Sequence, residues 1–330
     1  MPANLSPEYI RLEGLLKEAR SPEDKLPILR EMLRVIPKHK GTDKLQADLK
    51  RRISRLQETM ESRGRAGGRS DPFHVPSEGA GQAALAGPPN SGKSTILEAL
   101  TGAEPAIADF PFTTTQPQPG MVPYEDIQIQ LVDGPPLVRE SMPPGIINLY
   151  RNADLLLLVA DLAHADPLAP LREVMALLDE HLVSLVAHDA EGVDPGQVAR
   201  VERRTIVLAN KVDEPGGSDK ADRLRHELAP MRVLPVSFLM DETIAGLPPL
   251  LFSGLHIIRL YTKKPGYKFE RSAPYILEQG ATVIDAARSI HKDFAENLKE
   301  ARIWGSAKHD GQAVPRDHVL ADGDIIEFHV

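Results

Sequence analysis

The 330-residue sequence contains no cysteine and a single tryptophan. Without cysteine, disulfides and thiolate metal sites are excluded, and a reducing compartment fits. The 11 histidines show no H-x-x-x-H spacing and no evident carboxylate partner, so they read as surface or packing residues. The longest apolar run, LLLLVA at 155–160, is far short of the roughly 20 residues needed to span a bilayer. The opening MPANLSPEYIRLEG has neither the basic nor the apolar region of a secretory leader, and a cytoplasmic location with no membrane partner is expected.

What is present is ordinary soluble composition, 42% hydrophobic and 26% charged, with a net charge of −8. The charge is unevenly placed. Residues 1–70 carry six more basic than acidic side chains, whereas residues 71–254 carry fourteen more acidic than basic ones. A basic arm on an acidic body suits a polyanion, but a solvated helix face would carry the same charges.

Three regions follow from pattern. Residues 1–66 read as helices, with Tyr9, Leu12, Leu15 and Leu16, then Leu26, Leu29, Met32 and Leu33 at helical spacing. A third stretch, capped by Thr42, lines up Leu45, Leu49, Ile53 and Leu56 opposite Lys44, Lys50, Arg51, Arg52 and Arg55. Residues 67–254 alternate strand and helix candidates, which predicts an α/β domain with a mostly parallel sheet. Its strands are AALA, IQIQLV, LLLLVA, TIVLAN and VLPVS, and 187–202 reads as a surface insertion. Residues 255–330 read as a small α+β domain with one helix, TVIDAARSIHKDF, and a last strand, DIIEFHV.

The chemistry concentrates in the middle region. Gly87, Gly92, Lys93 and Ser94 complete G-x-x-x-x-G-K-[ST] between a strand and a helix, the context in which backbone N–H groups cradle a phosphate. Asn90, Ser91 and Thr95 belong to the same contact surface. Lys93 would reach the β/γ-phosphates and Ser94 would ligate Mg²⁺. Pro88 and Pro89 lack N–H groups but precede the cradle. Asp133 ends a strand where a Mg²⁺-supporting carboxylate belongs. In NKVD, Asp213 can accept from both N1–H and N2–H₂ of guanine, Asn210 would brace the loop, and the Lys211 stem would pack on the base. An ATPase is disfavoured by Asp213.

The stretches GPPNSGKST, DFPFTTTQPQPGMV, NKVD and IRLYTKKPG, with WGSAKHDGQAVPRDHVLADGDIIEF at the end, resemble the Obg-type GTPases, in the developmentally regulated GTP-binding branch. The resemblance implies a Ras-like P-loop GTPase domain, an N-terminal helical hairpin and a C-terminal ubiquitin-like (β-grasp) TGS domain. It is weakest at 163–205, where larger members carry an inserted domain. It further implies that Phe112 to Gln116 form switch I, with Phe112 and Thr113 near the nucleotide and Thr114 completing the Mg²⁺ shell. Val236, Ser237 and Phe238 would meet guanine O6 through backbone N–H groups, Phe238 replacing a smaller residue. Asn90 matches the asparagine that helps hold K⁺. The ribosome or its RNA, and an accessory protein, are the implied partners; DNA is not.

Two positions depart from the common GTPase pattern. D-x-x-G reads Asp133-Gly134-Pro135-Pro136, and Pro136 has neither an N–H for a γ-phosphate nor a free φ. Leu137 stands where many GTPases carry a water-orienting glutamine. An apolar residue there is usual for the family, and slow hydrolysis is expected. The alternative expectation is a GTP-binding scaffold with little or no hydrolysis.

Overall fold

The computed structural model describes residues 73–102, 116–143, 145–193, 200–269 and 272–330, with isolated positions before residue 73. The chain divides into two compact units, 1–72 and 73–330. In the first, Leu12, Leu29, Met32, Leu33, Val35, Leu49 and Arg51 are all helical. Leu29, Met32 and Leu49 are buried there, and Arg51 is exposed. Lys44, Lys50, Arg52 and Arg55 lie outside the described residues.

The second unit begins with a seven-stranded sheet ordered β2-β3-β1-β4-β6-β5, with β7 also paired to β6. Its strands are β1 Gln82–Ala86, β2 Gln118–Tyr124, β3 Ile127–Asp133, β4 Leu155–Asp161, β5 Val183–Ala187, β6 Val201–Asn210 and β7 Arg232–Val236. Every pair is parallel except β2 with β3. Helices cover both faces, which is why β1 and β4 are unbroken apolar runs rather than alternating ones. Ala84, Ala86, Leu156 and Leu158 face α2 (Ile146–Asn152), α3 (Leu168–Glu180) and α4 (Gly217–Glu227). Their neighbours Ala83, Leu85, Leu155 and Leu157 face α1 (Lys93–Thr101) and α6 (Leu247–Leu255), which follows the short α5 (Asp241–Ala245).

Three strand assignments differ from the sequence expectation. β2 contains Pro119 and Pro123, which mask a strand signal but are tolerated at a sheet edge. β5 closes the 183–187 stretch as a strand, and β6 starts at Val201, so the segment between strands is shorter than 187–202. β6 is long because β5 pairs with its first half and β7 with its second, on the same edge.

The remaining residues form a five-stranded sheet, β11-β10-β12-β8-β9. It comprises β8 Ile257–Thr262, β9 Tyr275–Glu278, β10 Glu300–Trp304, β11 Gln312–Val314 and β12 Ile325–His329. The first and last of these pair in parallel at its centre, the arrangement of a β-grasp. Helix α7 (Val283–Ile290) packs Val283, Ala286 and Ala287 against Ile258, Leu260, Ile303 and Ile326. The single helix expected over TVIDAARSIHKDF is two, because His291 takes an extended conformation before α8 (Lys292–Asn297). A capping box of Thr282 and Asp285 starts α7. No described helix is long and apolar enough to cross a membrane.

Candidate nucleotide-binding site

The loop of residues 87–92 joins β1 to α1 at the C-terminal end of the parallel strands, where open α/β sheets bind ligands. Its glycines are required by geometry. Gly92 has φ +91°, and a Cβ there would lie 2.2 Å from Asn210 Nδ2. A Cβ on Gly87 would lie 2.8 Å from the Val159 carbonyl oxygen. Ser91 is fully buried, its Oγ donating to Pro88 O at 3.0 Å. Asn90 sits exposed in the left-handed region at φ 60°, and Thr95 is exposed on the first turn of α1.

Lys93 is buried at the start of α1, and its Nζ donates to Gly87 O (3.3 Å) and Pro88 O (3.0 Å). Burial pushes its pKa below the usual lysine value, against the opposing pull of Asp133. Asp133, at the end of β3, is 1% exposed. Its Oδ2 accepts from Ser94 Oγ at 2.6 Å, while Oδ1 is buried with no hydrogen-bond partner. Burial raises its pKa, with the Ser94 hydrogen bond and Lys93 acting the other way. A hydroxyl beside an orphaned carboxylate oxygen is a hard, oxygen-only donor pair that fits Mg²⁺. No group of three or more His, Asp or Glu side chains among the described residues forms a metal site of its own.

Asn210 ends β6 and ties the loop that follows it to the 87–92 loop, its Nδ2 donating to Ser91 O at 2.9 Å. Its Oδ1 accepts from Lys211 N–H at 2.9 Å, and Lys211 takes φ 66°. Asp213 is exposed at the same loop. Ser237 is buried, and its backbone N–H donates to Thr243 Oγ1 at 2.9 Å, so that donor is already engaged. Phe238 is half-buried against the α1–α6 core layer, and Val236 is buried within it. Phe112, Thr113 and Thr114 lie outside the described residues.

Pattern reading missed three partners. Lys211 Nζ pairs with Asp161 Oδ2 at 2.7 Å, at the end of β4; a strand-end aspartate was the available signal. Thr243 and Tyr150 had none, because their contacts exist only after folding. Tyr150 of α2 is fully buried beneath the D-x-x-G segment, its hydroxyl donating to Pro135 O at 3.2 Å. Leu137 is buried in the core, and its N–H reaches Gly87 O at 3.3 Å. The segment after Asp133 is therefore pinned at both ends.

Comparison with known proteins agrees with this geometry. Residues 82–190 match the 50S ribosome-binding GTPase family, and residues 258–330 match the TGS domain. An uncharacterized GTP-binding protein of Methanocaldococcus jannaschii is 29% identical, the match covering 92% of each chain. The developmentally-regulated GTP-binding protein 2 homolog of Dictyostelium discoideum is 27% identical over 88% of this chain and 94% of its own length. Developmentally-regulated G-protein 2 of Arabidopsis thaliana is 26% identical over 88% of this chain and 87% of its own. Among solved structures, a GTP binding protein from Pyrococcus horikoshii OT3 shares the fold at TM-score 0.50 and 15% identity, covering 75% of this chain and 99% of that one. The chain thus carries a GTPase domain followed by a TGS domain, and over most of its length it is similar to proteins named developmentally regulated GTP-binding proteins.

Proposed function

We propose that this protein binds GTP and GDP with Mg²⁺, hydrolyses GTP slowly to GDP and phosphate, and acts on the ribosome or its RNA. One observation carries the nucleotide half. Asn210 hydrogen-bonds the phosphate-loop carbonyl of Ser91, so base-side and phosphate-side elements form one surface at one end of the sheet. On this reading the loop N–H groups from Asn90 to Thr95, with Lys93, hold the phosphates, and Lys93 exchanges its contacts to Gly87 and Pro88 for phosphate oxygens. Ser94 and Asp133 hold the magnesium ion, with Thr114 joining from switch I, alongside Phe112 and Thr113. When bound, the ion supplies neutralising charge at the β- and γ-phosphates. Asp213 and Lys211 select guanine, with the Phe238 backbone as the remaining N–H toward O6, and Asn90 holds K⁺.

Three parts divide the work: a basic N-terminal arm (1–66), the GTPase domain (67–254) and the TGS domain (255–330). The ribosomal target is supported by the charge of the arm and by the family description that residues 82–190 match. The second reading, a GTP-binding scaffold with little or no hydrolysis, is favoured by Pro136 and by the pinned Leu137. Multiple-turnover phosphate release, in K⁺ and in Na⁺, with and without ribosomal subunits, separates the two. Turnover faster in K⁺ and stimulated by subunits supports the first; no release above background with intact GTP binding supports the second. Nucleotide-dependent cosedimentation with the subunits tests the target directly.

A further inference from the structure

β2 and β3 form a hairpin whose two ends meet different parts of the molecule. At its open end Gln118, two residues after switch I, pairs with Asp133; at its turn Tyr124 pairs with Ile127. The first and last of the seven residue pairs are six steps of about 3.3 Å apart, roughly 20 Å. The turn residue Glu125 has φ 50°.

The C-terminal domain grips this turn. Arg259 of β8, only 8% exposed, donates to Asp126 Oδ1 at 3.1 Å and to a Glu125 carboxylate oxygen. Its guanidinium lies 5.0 Å from the centroid of the Phe252 ring and 5.8 Å from that of Tyr124. Within its own domain it is held by Asp322, through Nε–Oδ1 at 3.1 Å and the terminal nitrogen to Oδ2 at 2.7 Å. Tyr261, two residues along β8, donates its hydroxyl to Asp126 Oδ2. Bidentate pairing, ring stacking and burial together make this a geometric clamp rather than a surface ion pair.

β3 is locked to β1 from Gln130 to Asp133. The same strand thus runs from the gripped turn to the carboxylate that accepts from Ser94, so a tilt of the hairpin would strain the ladder that ends at Asp133. We propose that Arg259 and Tyr261 are positioning residues for the nucleotide site: by fixing the hairpin turn, they hold Gln118 and Asp133 in place and slow nucleotide release. A partner that draws the C-terminal domain away would then speed exchange without touching the phosphate loop. This rests on reading residues 87–95 as the nucleotide site.

The test loads the full-length protein with fluorescently labelled GDP and follows its release after an excess of unlabelled GDP. Tyr261→Phe removes one hydroxyl and keeps the ring edge on Phe269. It should speed release about threefold, and Arg259→Gln about tenfold. Adding Asp126→Asn to the combined Arg259→Gln and Tyr261→Phe variant should produce no further acceleration, since its contacts to both residues are already gone. Thr282→Ala, which weakens a helix cap in the same domain away from the clamp, should leave release unchanged. Parental release rates in both clamp variants would overturn the inference, as would equal acceleration by Thr282→Ala. Failure of the parent protein to retain labelled GDP would overturn the nucleotide reading, and this inference with it.

Discussion

Asp213 and Asp133 make opposite demands on their surroundings. Asp213 is exposed on its loop, and on the proposed reading it gains its partners when a base with two adjacent donors arrives. Asp213→Asn should lose GTP affinity and gain affinity for xanthosine triphosphate, whose 2-oxo group accepts where guanine donates; competition against labelled GDP reads both. Equal affinity of the parent for ATP and GTP would sink this assignment. Asp133 is already buried, and that burial penalises its ionised form, with Oδ1 left without a hydrogen-bond partner. Its folded pKa is raised above the unfolded value. Folding thus favours the protonated form, and stability should rise as pH falls through the raised pKa. Wherever the carboxylate is ionised, its burial costs stability in the nucleotide-free protein. Asp133→Asn should accordingly raise the nucleotide-free Tm while abolishing the Mg²⁺ dependence of GDP binding. A lower Tm in the variant would mean that Ser94 and Lys93 more than offset the burial.

At the scale of elements, the segment following β3 is a strut built from two prolines, a buried leucine and a tyrosine beneath them. Tyr150→Phe would leave the buried Pro135 carbonyl without its donor and should cost about 1–3 kcal/mol in denaturant unfolding. Gly134→Ala should cost more, since its Cβ would come within 2.3 Å of the Tyr150 hydroxyl. Combined with Tyr150→Phe, its added cost should shrink, because the first atom struck is gone; simple additivity would refute the contact. These residues also mark where sequence reading succeeds and stops. That residues 87–95, Asp133 and NKVD gather at one end of the sheet was legible because each stands at the end of a strand recognisable along the chain. The long apolar runs of β1 and β4 announced a sheet covered on both faces. Tyr150 and Thr243 were silent, since their partners lie 15 and 6 residues away in sequence, and Asp161 signalled only its place at a strand end, its partner lying 50 residues away. β2 was silent for a different reason: its two prolines carry a turn signature that only an edge position overrides.

For the whole molecule, the asymmetry of charge gives the first test. If the arm contacts RNA phosphates, replacing Arg51, Arg52 and Arg55 with Gln should flatten the salt dependence of ribosome binding by about 0.7–0.9 log units per lost contact and leave GTP affinity unchanged. Unaltered cosedimentation across a salt series would take the arm out of the binding surface. The sheet itself carries a further consequence at its border. Pro119 and Pro123 stand four residues apart on β2, so both fall on the same side of the strand. Neither offers an N–H. A strand from a second molecule approaching this border would find donors missing at two alternate places and could not extend the ladder. The prolines thus act as a terminator of sheet growth, protecting a parallel sheet, slow to assemble and open at this border while it folds, from polymerising with its copies.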